Sequence, residues 1–165
     1  MSNYPIQYIQ SFEKSLVEQG AFIWAFHVDK VPPHVGISID GCYFSMKAFE
    51  SDFNLDVEAV YQVVQRKKIP TFLIAVKEVN NLEGLKSIFN QYGSKIKEGE
   101  SCMTPVLRFL GENELLLEEL LIHLFQSKRI DSVLGIHLPE QFDQLPFYTS
   151  NDVQIHIQQL KNVSR

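Results

Sequence analysis

The sequence predicts an α+β fold in which an antiparallel β-sheet is packed with helices. Three observations carry that expectation. Asp40-Gly41 stands between the alternating runs 34–39 and 42–46, and an Asp-Gly pair so flanked marks a tight hairpin, because both turn residues must take positive φ. Segments 57–64 and 82–89 instead repeat their apolar residues at the helical period. The chain has 165 residues, 45% hydrophobic and 21% charged, which suits one folded domain with a sizeable core.

The elements follow in order. Ile6, Ile9, Phe12 and Leu16 recur at near-helical spacing with Gly20 as a stop, which predicts a first helix over residues 5–19. Residues 21–28, aromatic and β-branched, read as a buried strand. The loop Asp29-Lys30-Val31-Pro32-Pro33 then delivers the chain to His34 and the hairpin. Asp56 is the expected N-cap of a helix that places Val57, Val60, Tyr61 and Val64 on one face and ends near Lys68. Pro70 introduces a strand over 71–76. Asn80 or Asn81 begins a further helix with Leu82, Leu85, Ile88 and Phe89 on its buried face and Gly93 past its end. A polar loop over 93–99 follows, then a short helix ending at Gly111. A leucine-rich helix spans about 113–127, and a strand is expected over 132–138. The tail is open: Val153, Ile155 and Ile157 alternate as in a strand, whereas Val153, Ile157 and Leu160 would line a helix.

Charge and composition narrow the function classes. A formal net charge of −5 argues against non-specific nucleic-acid binding, which needs a basic face. The basic cluster Arg66-Lys67-Lys68 suits a helix C-terminus. Residues 1–10 lack the charged leader and apolar core of a secretory signal, and no apolar run is long enough to span a bilayer. A cytoplasmic location is therefore expected. Two cysteines are too few for a disulfide framework. His27, His34, His123, His137 and His156 show no zinc-type spacing, and there is no Cys-x-x-Cys or glycine-rich phosphate loop, so no metal or organic cofactor is expected. The carboxylates Glu118-Glu119 and Asp52 with Asp56 read as solvated helix faces and caps. The leucine-rich helix is apolar around most of its circumference, so it is a core element or, as the sharper expectation, a homodimer interface.

Cys102 draws attention because Pro105 pins a helix start close to it. Proline lacks an N–H donor and is tolerated in the first turn, where those groups are unpaired anyway. Ser101 is the expected N-cap. A thiol in that turn feels the positive end of the helix dipole, which favours thiolate and hence nucleophilicity. The competing reading is a small core hydrophobe, as most free cysteines are. A nucleophilic cysteine needs a base, and His34, at the start of a hairpin strand, is suited to that work; its competing reading is a solvated loop-edge histidine. His27 is a rival base at the end of the preceding strand, and Cys42, beside the hairpin turn, reads as structural.

The run Phe22-Ile23-Trp24-Ala25-Phe26, a short loop, and His34-Val35-Gly36-Ile37-Ser38-Ile39-Asp40-Gly41-Cys42-Tyr43-Phe44-Ser45 resemble the opening of circularly permuted papain-like proteins of the lecithin:retinol acyltransferase type. Ser101-Cys102-Met103-Thr104-Pro105-Val106-Leu107-Arg108-Phe109-Leu110 resembles the second block of that group, in which the nucleophile opens a helix. The resemblance covers roughly residues 21–46 and 101–111. It implies a permuted papain-like fold, His34 as base, Cys102 as nucleophile, and Ser45 at the position of the third polar residue. Ser45 is a poor partner for imidazole, and Ser101 stands where asparagine is expected. The function so implied is a cysteine-dependent hydrolase or acyltransferase acting on a peptide or acyl-containing substrate, an amide, ester or thioester. The alternative is a non-catalytic interaction domain, an adaptor or inhibitor that keeps the fold without the chemistry.

Overall fold

The computed structural model describes residues 2–113 and 115–163. In chain order its elements are β1 (Ile6–Ile9), α1 (Lys14–Val17), β2 (Ala21–Phe26), β3 (His34–Ile39), β4 (Cys42–Ser45), β5 (Asp52–Asp56), α2 (Val57–Lys67), β6 (Thr71–Val76), α3 (Leu82–Tyr92), α4 (Met103–Leu110), α5 (Leu117–Gln126), β7 (Val133–Ile136) and α6 (Ser150–Val163). Among the described residues the strands form one sheet in the order β1-β7-β6-β2-β3-β4-β5. Every pairing is antiparallel except β1 with β7, so the α+β expectation holds.

Strand alternation divides the core in two. Ala21, Ile23, Ala25, Val35, Ile37, Ile39 and Phe44 face α3, α4, α5 and α6, in a cluster with Leu85, Phe89, Val106, Leu120, Leu121 and Ile157. Phe22, Trp24, Phe26 and Tyr43 face the opposite way, with Phe12, Val17, Val57 and Val64 from the α1 and α2 side. The central strands β2 and β6 are therefore covered on both faces, which is why they read as nearly continuous apolar runs. On the second face Trp24 Nε1 donates to the buried Ser38 Oγ at 2.9 Å, so the indole N–H is satisfied.

The hairpin forms as expected, with Asp40 at φ 48° and Gly41 at φ 82°. Asp56 caps α2 by accepting the Glu58 N–H at 2.8 Å, and Lys68 ends that helix in the left-handed conformation. Asn81 caps α3. The tail is helical: Thr149 and Asp152 exchange side-chain and backbone hydrogen bonds at the start of α6.

Three expectations are corrected. Residues 5–19 are not one helix but a strand followed by the single turn α1, because Ile6–Ile9 pairs in register with Val133–Ile136. Asp52 sits on no helix; it begins β5, an edge strand that the sequence reading passed over. The leucine-rich helix starts later than expected, at Leu117, with the Leu116 N–H donating to Glu119; Glu114, within the expected helix, lies outside the described residues. Leu117, Leu120, Leu121 and Leu124 are fully buried, so that helix is a core element.

Candidate functional site

The site begins at a gap in the sheet edge. The β3–β4 ladder pairs Ile37, Ser38 and Ile39 only, so His34, Val35 and Gly36 extend beyond the end of β4. The start of α4 comes up against that stretch. Cys102 occupies the position before the helix, with Ser101 Oγ accepting the Met103 N–H at 3.1 Å and Thr104 Oγ1 accepting the Ser101 N–H at 2.8 Å. Pro105 sits in the first turn and Gly111, at φ 72°, ends the helix, as expected. Cys102 packs against the larger core cluster and is half-buried.

The Cys102 sulfur is close to the backbone N–H groups of Val35, Cys102 and Met103, all of which favour its ionised form. Val35 directly follows His34, so the fold brings the start of β3 to the start of α4. Burial outweighs those donors and pushes the thiol above its ordinary value. The expectation of a resting thiolate is thereby corrected: the helix-start N–H groups act in the expected direction, and desolvation is larger.

His34 pairs with Phe26 across the β2–β3 ladder, and its ring stacks on Phe26 with centroids 5.9 Å apart at 22°. Its Nε2 is buried and has no hydrogen-bond partner among the described residues. Burial, then the positive charge of Lys47, lower its pKa to about 4, opposed by the carboxylate of Asp52. At neutral pH Cys102 therefore rests as a protonated thiol and His34 as a neutral imidazole, with no hydrogen bond from His34 Nε2 to the sulfur.

Ser45 is fully buried and donates to Asp52 Oδ2 at 3.1 Å. Asp52 also takes Lys47 Nζ at 2.9 Å. Sequence reasoning missed Asp52 and Lys47 as neighbours of His34. The signal was slight: an aspartate directly before the alternating Phe53 and Leu55 on what proves to be an edge strand. Tyr43 is buried beside these groups, and burial raises its hydroxyl pKa while Ser45 opposes the rise. Tyr148 accepts the Leu117 N–H at 3.3 Å, and burial pushes its pKa up to about 12.

Cys102, His34, Asp52, Lys47, Tyr43 and Tyr148 all line one cavity of about 1400 Å³. Val60, Val63, Val64 and Ile69 form its wall toward α2, and Thr104, Arg108, Gln154 and His156 contribute polar groups from α4 and α6. His27, exposed and at φ 54°, also reaches this cavity, with its pKa lowered chiefly by burial. Cys42 is not among the lining residues; it lies opposite Asp56 on β4 and packs against the larger core. No cluster of three or more histidine, cysteine or carboxylate side chains suited to a metal occurs among the described residues. No helix among them is long and apolar enough to cross a membrane.

No family model matches the chain, and neither the curated proteins nor the solved structures compared with it contain a match.

Proposed function

We propose that the protein is a cysteine-dependent hydrolase or acyltransferase of permuted papain-like type, with Cys102 as nucleophile and His34 as general base. One observation supports this above the rest. The sulfur at the start of α4 lies against the backbone of Val35, one residue from His34, and both side chains line the same cavity.

The chemistry runs as acyl transfer through a thioester. His34 Nε2 accepts the Cys102 proton as the sulfur attacks the carbonyl carbon, and the carbonyl π electrons move to oxygen. The N–H groups at the start of α4 are suited to hold that oxyanion. The oxyanion collapses, the bond to the amine, alcohol or thiol breaks, and the departing group takes the proton from His34. Water or an acceptor nucleophile then attacks the thioester, again losing a proton to His34, and the sulfur regains its proton on release. Because the resting thiol is protonated, proton transfer belongs to the attack itself rather than to a preformed ion pair.

The test uses p-nitrophenyl butyrate. Nitrophenolate release is expected together with a butyryl adduct on Cys102, found by peptide mapping. Cys102→Ser should remove the adduct, and His34→Ala should slow its formation about 100-fold, in the usual range for loss of a general base. Nitrophenolate release without acylation of Cys102, or acylation that does not depend on His34, would overturn the Cys102–His34 reading, and the absence of both release and adduct would leave the non-catalytic interaction domain as the better one.

A further inference from the structure

Two opposite charges act on the half-buried His34 from the segment between β4 and the start of β5. Lys47 and Asp52 are joined at 2.9 Å, and both line the cavity with His34 and Cys102. The Asp52 carboxylate is the more enclosed partner, with its side chain 20% exposed against 44% for Lys47. Ser45, fully buried, fixes Asp52 by donating to Oδ2 at 3.1 Å. The remaining titratable groups acting on His34 are His27 from the end of β2 and His156 from α6, both of which disfavour a second positive charge there. Among these neighbours Asp52 alone favours the protonated imidazole.

We propose that Asp52, held in place by Ser45, is the positioning residue that balances the imidazolium formed when His34 takes the Cys102 proton, and that Lys47 restrains it. This rests on the Cys102–His34 reading. In the step concerned the S–H bond breaks as the sulfur bonds to the carbonyl carbon and one N–H bond forms at His34, leaving an imidazolium and an oxyanion with no net change in charge. Asp52 carries its negative charge throughout and takes no proton. His34 Nε2 is buried and makes no hydrogen bond to Cys102 or to any other described residue, so no other described group competes for that nitrogen.

The two members of the ion pair supply a discriminating test. Asp52→Asn and Lys47→Met break the same salt bridge, so a purely structural role predicts that they act in the same direction. The proposal predicts opposite directions. Iodoacetamide alkylation of Cys102, followed by mass spectrometry, should slow about tenfold in Asp52→Asn near neutral pH and quicken several-fold in Lys47→Met, as expected for opposite charges acting on one imidazole. At pH values above the raised pKa of the thiol, where thiolate forms without help from imidazole, the Asp52→Asn profile should approach the wild type. Ser45→Ala should follow Asp52→Asn with a smaller loss. A loss of equal size at every pH, or shifts of the same sign in the two charge variants, would overturn the assignment of Asp52. A His34→Ala profile that overlays the wild type would instead overturn the dyad on which it rests.

Discussion

Gly36 has no side chain because Tyr43 fills the space one would occupy: a Cβ there would run into the tyrosine ring and hydroxyl. Tyr43 is buried over β3 beside the site, so Gly36→Ala must displace either the ring or the strand. An overpacked core position costs roughly 1–3 kcal/mol, and urea unfolding of Gly36→Ala should read a loss in that range. His34 gives a second prediction at this scale. Its folded pKa of about 4 lies below the ordinary value of 6.5, chiefly because burial disfavours the charge. Between those values the unfolded chain binds a proton that the folded chain excludes. Stability therefore rises with pH across that window and is lost as pH falls through it. Going from pH ~7 to ~5 should cost about 2 kcal/mol, and His34→Gln should flatten that dependence in urea titrations at the two pH values. Of the candidate site, the places of Cys102 at a helix start and of His34 at the opening of a hairpin strand were legible in the sequence, because Pro105 marked that helix start and Asp40-Gly41 fixed the hairpin. Asp52 was not: its neighbours in sequence say nothing of His34, and only the pairing of β4 with β5 brings it near. The state of the thiol was also hidden, since helix-start donors are visible in a sequence and desolvation is not.

At the scale of elements, the legible parts are those whose signals are local. Asp56, Asn81 and Gly111 sit at helix ends where their own side chain, or the lack of one, decides the geometry. The misread part, residues 5–19, is decided at long range. Ile6 and Ile9 satisfy a helical spacing, but the backbone partners of β1 lie on β7, far along the chain. The α4 start offers a test of the element that carries the nucleophile. Ser101→Ala frees the Met103 N–H and should cost about 1 kcal/mol, the usual value for a lost cap. Because the capped turn also aims N–H groups at the sulfur, the same variant should slow Cys102 alkylation at a pH where the wild-type thiol is partly ionised. A loss of stability with unchanged Cys102 reactivity would separate the cap from the site.

For the whole molecule, the cavity joins surfaces that belong to different layers. Its α2 wall is apolar, and its α4 and α6 wall carries hydroxyl, amide and charged groups, with Cys102 and His34 in the same lining. No sequence pattern could announce this, because the lining residues come from elements between β2 and α6. Val63 on α2 is 38% exposed, so it can be enlarged at little cost to the core. Val63→Trp should slow acylation of Cys102 by a long-chain p-nitrophenyl ester more than acylation by the acetate, as a narrowed apolar wall requires. Equal slowing of both esters would place the acyl group elsewhere.

The central claim is that His34 and Cys102 act as one proton-transfer pair. It is tested most directly by the pH dependence of Cys102 alkylation in the wild type and in His34→Ala. The pair predicts faster alkylation of the wild type near neutral pH and convergence of the two profiles at high pH, where the thiol ionises by itself. Profiles that coincide over the whole range would mean that His34 takes no proton from Cys102.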